Sequence, residues 1–307
     1  MGGLKQILTV TLLNLRTVPQ RFGSSVVAVV GIAGVVIVLV AVLSIAEGFR
    51  VTMRDAGSPS RALIMRSGSD SEMTSGLAGP EADIIKQAPG IVREGQTPMA
   101  SAELFVIIDL PKRSTGTSAN VPLRGIEPTA FPVRSEASIV EGRMLTFGTN
   151  EVIVGQAASR QFSGLAVGSD VHSGDVTWKV VGIFEADGSV AETEIWCDGR
   201  TLQGAYRRGN SYQSVLARLE SPEAFDGFKD WLTANPQVNV VVRRESEYYA
   251  AQSQTLTTLI RTIGFAIAAL MAIGAVFGAI LTMYTAVATR AREIATLRAL
   301  GFNSGAV

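Results

Sequence analysis

The sequence predicts a membrane α-helical protein with an α+β exterior domain, in which two transmembrane helices flank a two-part folded segment. Three observations predict it. Residues 23–46 and 262–289 are long apolar stretches without a single charge. Basic residues sit at the outer flank of each stretch. Between the stretches the pattern changes to short strands and helices closed by glycine and proline.

Each apolar stretch exceeds the roughly 20 residues that a helix needs to cross about 30 Å of hydrocarbon at 1.5 Å per residue. The composition agrees, with 47% hydrophobic residues and a positive mean hydropathy. Lys+Arg and Asp+Glu balance at 27 each, so no global field draws the chain toward nucleic acid. The first stretch follows basic residues near the N-terminus, as a cleaved signal peptide would. Signal cores run only about 7 to 15 residues, so this longer run is expected to remain as a span. Ahead of it, Leu4, Ile7, Leu8, Leu12 and Leu15 recur at helical spacing until Pro19. They form either a short helix in the membrane interface or a buried extension of the span.

Orientation follows from the flanks. Lys5, Arg16 and Arg21 precede the first span, and Arg290, Arg292 and Arg298 follow the second with only Glu293 opposing. The positive-inside tendency places both ends in the cytoplasm and the middle segment outside, on a bacterial periplasmic or extracellular face.

Within that middle segment, Arg61–Met65 reads as a strand, Pro80–Gln87 as a helix stopped by Pro89-Gly90, and Ala102–Leu110 as a buried strand. The same order returns later. Ser214–Leu219 is a strand, Ser221 an N-cap with Pro222 at the first helical position, and Val238–Val242 another strand. Phe225, Phe228 and Leu232 share one face of the intervening helix. The two strand–helix–strand units can pair into one layer with helices on one side. Between them, Glu151–Gly155, Trp178–Phe184 and Glu194–Trp196 read as strands, with Gly168 and Gly188 at turns.

Searches for chemistry give no candidate. The chain lacks G-x-x-x-x-G-K-[ST], H-E-x-x-H, Cys-x-x-Cys and G-x-S-x-G. Its one histidine, His172, and the carboxylates Asp70, Glu72, Asp170 and Asp175 lie in polar regions and read as solvated loop residues. Cys197 stands alone, so the domain is held by its core and not by a disulfide. No enzyme activity and no cofactor are expected.

Residues 279–301, Ala-Ile-Leu-Thr-Met-Tyr-Thr-Ala-Val-Ala-Thr-Arg-Ala-Arg-Glu-Ile-Ala-Thr-Leu-Arg-Ala-Leu-Gly, resemble the signature of MacB/FtsX-type ABC transporter permeases. In that family the span runs into a basic stretch, an Arg-Glu-Ile turn and a Leu-Arg-Ala-x-Gly helix end. The resemblance implies that residues 290–307 form a cytoplasmic coupling helix seated on an ATPase, through Arg292, Glu293, Ile294, Leu297, Arg298, Ala299, Leu300 and Gly301. Ala295 departs from the glycine common there, small for small. The residues themselves allow this and a plainer account. Ile294, Leu297 and Leu300 or Gly301 make a short apolar stripe, and Gly301 can end a helix, but arginines beside a span also anchor it at headgroups.

Glu141-Gly142-Arg143, Asn150–Gly155, Gly164–Gly168 and Val180–Phe184 are similar to recurring phrases of MacB-type periplasmic domains. The resemblance implies a porter-like α+β part, residues 49–117 and 213–245, carrying a β-rich Sabre-like part, residues 118–212. Around these lie the first span with its leading helix, residues 1–48, and a stalk with the second span, residues 246–289. Gly274 and Gly278 form a small-xxx-small pattern for close helix packing, within the chain or across a dimer. Implied partners are an ABC ATPase subunit, a second permease subunit as homo- or heterodimer, and a periplasmic adaptor as an optional third. The family carries two further spans after the coupling helix, so residues 1–307 are expected to be a truncated form. The expected function is mechanotransmission, with ATP hydrolysis on a separate subunit driving exterior motion to export or extract a substrate. An FtsX-like regulator of cell-wall hydrolases and a two-span sensor are the alternatives.

Overall fold

The computed structural model describes residues 22–55, 57–289 and 291–299. The expected leading helix around Leu4–Leu15, together with Arg290, Leu300 and Gly301, lies outside the described residues. The chain divides into two units, one of residues 1–49 with 255–307 and one of residues 50–254.

Uninterrupted apolar sequence with no proline favours helix, because only helix satisfies every backbone polar group without water. Helix α1 accordingly covers Phe22–Asp55 over 34 residues, roughly 50 Å at 1.5 Å per residue. Both it and the helix Glu245–Thr289 are long and apolar enough to cross a membrane.

The residues-50–254 unit holds the remaining fold. Strand β1 (Arg61–Arg66) is followed by a single-turn helix at Glu72–Thr74, β2 (Leu77–Ala78) and α2 (Gly79–Lys86). Next come β3 (Arg93–Glu94), β4 (Thr97–Pro98), the long β5 (Ala100–Pro111), β6 (Ser118–Ile126), α3 (Ala130–Val133) and β7 (Ser138–Gly142). Then follow β8 (Glu151–Gly155), α4 (Gln156–Gln161), β9 (Asp170–Ser173), β10 (Val176–Glu185), β11 (Ile195–Asp198), α5 (Gly199–Ala205) and β12 (Ser211–Tyr212). The unit closes with β13 (Ser214–Arg218), α6 (Ala224–Ala234) and β14 (Val240–Arg244). Helix α7 (Glu245–Thr289) begins at the next residue and contributes residues to both units, and α8 is Ala291–Ala299.

One ten-stranded sheet runs in the order β14-β1-β13-β5-β6-β11-β8-β10-β7, with β9 paired to β10. At its first end β1-α2-β5 and β13-α6-β14 interleave, each unit enclosing a strand of the other, with all neighbours antiparallel. This is a split βαβ pair. Both helices cover one face, where Ala82, Ile85, Phe225, Phe228 and Leu232 pack on Ala62, Ile64, Ala102, Val215 and Val242. Alternate residues of a strand share a face, which explains why the odd partners Leu63 and Met65 join the opposite core with Leu216 and Tyr248.

Strand β5 changes partner midway. Its residues Ala100–Glu103 pair with β13, and Leu104–Pro111 pair with β6. Beyond that change lie separate cores, one around Leu104, Val121, Val152, Trp178 and Ile195 and one around Ile126, Ile153, Phe184 and Trp196. Phe184 stacks on Trp196 with centroids 4.2 Å apart.

Three expectations about secondary structure need correction. Ser221 does not cap α6, because Ser221 and Pro222 form a turn whose carbonyls accept from the N–H groups of Ala224 and Phe225, and the helix starts after Glu223. Strand β14 starts at Val240, since Val238 N–H still closes a turn on the Asn235 carbonyl. His172 and Asp170 lie in β9 and not in a loop, and the exposed His172 ring meets Thr177 Oγ1 at 2.9 Å across the β9–β10 pair.

Candidate functional site

The expected coupling residues fall on α8, which is helical from Ala291 to Ala299. Arg292, Arg298 and Ala299 are exposed, Ile294 is half-buried, and Thr296 Oγ1 donates to the Arg292 carbonyl at 2.9 Å. Glu293 and Leu297 belong to the same helix.

In the helical unit, the less exposed residues of α7 recur as Gly264, Ala268, Met271, Ala275, Ala279 and Thr282, at three- and four-residue spacing. Small side chains on such a stripe let two helix backbones approach closely. A Cβ at Gly264 would overlap Val42 Cγ1 of α1. Further along, Ala272, Ala275 and Ala279 face Ile32, Val35 and Val36 across a narrow apolar gap, and Arg261 reaches Glu47 at 3.4 Å. Gly274 and Gly278 lie off this stripe, and a Cβ on either would meet nothing within 4 Å. Sequence reading missed Gly264, although its spacing to Ala268 is the same small-xxx-small signal.

The folded unit holds a feature that the sequence did not announce. Arg124, on β6, is buried among three glutamates at the place where β5 changes partner. Its Nε and Nη2 donate to Glu194 at 2.7 and 2.8 Å, and its Nη1 and Nη2 donate to Glu72 at 2.8 and 3.1 Å. Nη1 also reaches Glu103 at 2.9 Å. Arg134 forks onto the same Glu103 at 2.6 and 2.8 Å. The remaining acceptor sites are used by Ser214 Oγ, which donates to Glu72 at 2.6 Å, and by Trp196 Nε1, which donates to Glu194 at 2.8 Å. The Phe105 ring lies under the Arg124 guanidinium at 4.9 Å.

Charges this deep persist only when paired and hydrogen-bonded. Burial works against the charged form of Glu103, yet Arg134 and then Arg124 outweigh it and hold the carboxyl down at about 2. Burial likewise opposes ionisation of Glu72, and Arg124 still holds it below the usual carboxylate range. Reading Glu72 as a solvated loop residue was therefore wrong. It opens the single-turn helix Glu72–Thr74 within a Ser/Gly-rich stretch, and its partner arrives from β6, far away in sequence. Among the described residues no cluster of His, Cys, Asp and Glu is arranged to hold a metal ion.

A second ionic group ties the root of α7. Glu245, the first residue of the helix, accepts from Arg61 Nε at 2.5 Å and from Ser58 N–H at 2.9 Å. Arg61 Nη1 also donates to Glu136 at 2.7 Å. Tyr248, one turn later, accepts from Glu72 N–H at 3.2 Å, and burial pushes its phenol up. Gly57 lies so close to this junction that a Cβ would stand 2.7 Å from Ser246 N. A polar cleft of about 350 Å³, lined by Ser58, Arg61, Glu136 and Arg218, opens beside it.

The family described as the MacB-like periplasmic core domain matches residues 25–235. A curated relative from Paracoccus denitrificans (strain Pd 1222), the macrolide export ATP-binding/permease protein MacB 1/2, is 26% identical over 99% of this chain. The chain spans only 47% of that relative's length. The periplasmic region of MacB from Actinobacillus actinomycetemcomitans aligns with a TM-score of 0.46 at 14% identity, covering 65% of this chain and 95% of that one. The extracellular domain of the noncanonic ABC-type transporter YknZ from Gram-positive bacteria gives 0.44 at 16% identity, over 60% of this chain and 99% of that one.

Proposed function

The chain belongs to the MacB-like periplasmic core domain family, within the MacB/FtsX-like ABC transporter permeases, and from that premise we propose that it transmits force for an ABC transporter. ATP hydrolysis on a separate subunit displaces α8, and α7 carries the displacement to the folded domain outside, which exports or extracts a substrate. The observation that carries this reading is that α7 is one helix whose residues 245–254 belong to the folded unit and whose residues from 255 onward belong to the helical unit. A continuous helix without proline lacks the commonest cause of a sharp kink, which supports a displacement being carried along it.

In this reading the domain lies in the periplasm of a bacterial inner membrane, and both chain ends are cytoplasmic. Residues 49–117 with 213–245 are the porter-like part and residues 118–212 the Sabre-like part, with the second half of β5, Leu104–Pro111, reaching across to pair with β6 of the latter. Residues 1–307 carry no phosphate-binding loop, so the motor lies outside them, and Arg292, Glu293, Ile294, Leu297, Arg298, Ala299, Leu300 and Gly301 are its docking surface. Gly274 and Gly278 face a second permease subunit or a further span, and a periplasmic adaptor is compatible with the two-part domain.

Co-expression with the ATPase encoded beside the gene tests this. The pair should co-purify from membranes, and Leu297→Asp with Leu300→Asp should break the complex and lower its ATPase rate. Unchanged association and rate in both variants would refute the docking assignment.

A further inference from the structure

Strand β14 ends at Arg244 and α7 starts at Glu245, so no linker separates sheet from helix. Covalent continuity alone would still let the helix swivel about that junction. Three further contacts oppose a swivel. The Glu245 carboxylate is fixed to Arg61 on the neighbouring strand β1 and to Ser58 N–H. Tyr248 OH is fixed to the Glu72 backbone, and the Glu72 side chain forks onto Arg124 at the partner change of the sheet. Gly57 itself presses against the Glu245–Ser246 peptide, where any Cβ would overlap it.

We infer that Arg61, Glu245 and Tyr248 are positioning residues that key the first turns of α7 to both parts of the sheet, so that helix root and sheet move as one body. The inference rests on the force-transmission reading above. Its physical core is the choice of chemistry. An apolar patch of the same area would stabilise the junction at least as well, because buried ion pairs carry a desolvation cost. Apolar contacts, however, are non-directional and tolerate rotation by repacking, whereas Arg61, whose Nε and Nη1 bridge Glu245 and Glu136, and Arg124, which forks onto Glu72, fix an orientation through directed charge-assisted bonds. Direction is what a junction transmitting a push requires. The chain Tyr248–Glu72–Arg124–Glu103 extends that orientation from the helix to strands on either side of the β5 partner change.

The test uses the full chain in lipid nanodiscs, with spin labels on Gln254→Cys and Glu185→Cys, both exposed positions. Native Cys197 is buried and free, and burial pushes its thiol well up, so it stays unlabelled. The parent should give one narrow distance. Tyr248→Phe and Glu245→Gln should each broaden it at least twofold. The combined replacement Arg61→Met, Glu136→Gln, Glu245→Leu should keep the unfolding temperature of the parent and still broaden the distance, which a merely structural role for the ion pair would not produce. Arg61→Lys, which keeps charge but loses the fork, should give an intermediate width. Distances as narrow as the parent's in the folded variants would overturn the inference. Ile294→Asp, directed at ATPase docking, should leave the distance unchanged, so failure of the docking assignment and failure of the key are read separately.

Discussion

Arg124 in the folded unit and Gly264 in the helical unit hold their neighbours by opposite means. Arg124 brings together Glu72 of a single-turn helix, Glu103 of β5 and Glu194 at the entrance of β11 through directed bonds between charged groups. Gly264 brings together two helices by having no side chain at all, so that Val42 fills the space. The difference follows from the surroundings. In water a domain can gain from excluding solvent, and its ionic groups then specify one arrangement among several of similar burial. In hydrocarbon there is no solvent to exclude, and close packing of small residues supplies the association. The exterior unit is thus built to resist rearrangement, and the helix pair to pack closely with little directional bonding.

Removing the central cation is the harshest way to break this comparison. Arg124→Met leaves three buried carboxylates short of a partner, and breaking such a network costs roughly 3 to 5 kcal/mol. Urea unfolding of the full chain, followed by the fluorescence of the buried Trp178 and Trp196, should show a midpoint shift of that size. A shift under about 1 kcal/mol, the range of exposed ion pairs, would mean that the network is solvated and that the two units do not differ in kind.

Acid should act on the same network more gently. The Glu103 carboxyl is held at about 2 in the folded chain against an ordinary 4.5. The unfolded state therefore binds the proton first as pH falls. The stabilisation is complete above the ordinary value and is lost as pH drops from there toward about 2, an effect on the order of 3 kcal/mol. Glu72 is shifted in the same direction. Unfolding measured between neutral pH and pH 3 should show the exterior unit losing stability, and Glu103→Gln should flatten that dependence. A slope unchanged by the substitution would place the acid response elsewhere.

What was legible in the sequence follows the same divide. The spans and the two strand–helix–strand units are written in local periodicity, so helical spacing alone places Phe225, Phe228 and Leu232 on one face. The ionic network has no local signature. Glu72 and Arg124 are 52 positions apart, and Glu72 and Ser214 are 142 apart, so nothing near Glu72 distinguishes it from the solvated Asp70. The helix pairing was half legible. A small-xxx-small pattern marks a helix able to pack closely, but which of its faces meets α1 depends on where Val42 stands. Gly264 and Gly274 therefore looked alike in sequence.

Filling the helix contact should cost less than opening the ion cluster. Gly264→Leu forces a side chain onto Val42, and overpacking of this kind costs typically 1 to 3 kcal/mol. Cysteines at Val35 and Ala275, which both line the apolar gap between α1 and α7, report the pairing through disulfide formation. Their cross-linking rate should fall in Gly264→Leu, while the urea midpoint of the exterior unit stays where it was. A shift of both would mean that the units are not separable in stability.

The smallest effect is expected at Gly278, and it separates packing inside the chain from packing outside it. A Cβ there meets nothing, so Gly278→Val should leave the Val35–Ala275 cross-link and the unfolding midpoint unchanged within about 0.5 kcal/mol, as for other substitutions that touch no neighbour. Yet a valine would raise the helix surface at a place where another helix could otherwise come close. If Gly274 and Gly278 serve a second permease subunit, Gly278→Val should lower recovery of a tagged copy with an untagged one from mixed membranes, and Gly274→Val should do the same. If recovery is unaffected by either, the two glycines are lipid-facing, and close helix packing in this span belongs to the Gly264 face.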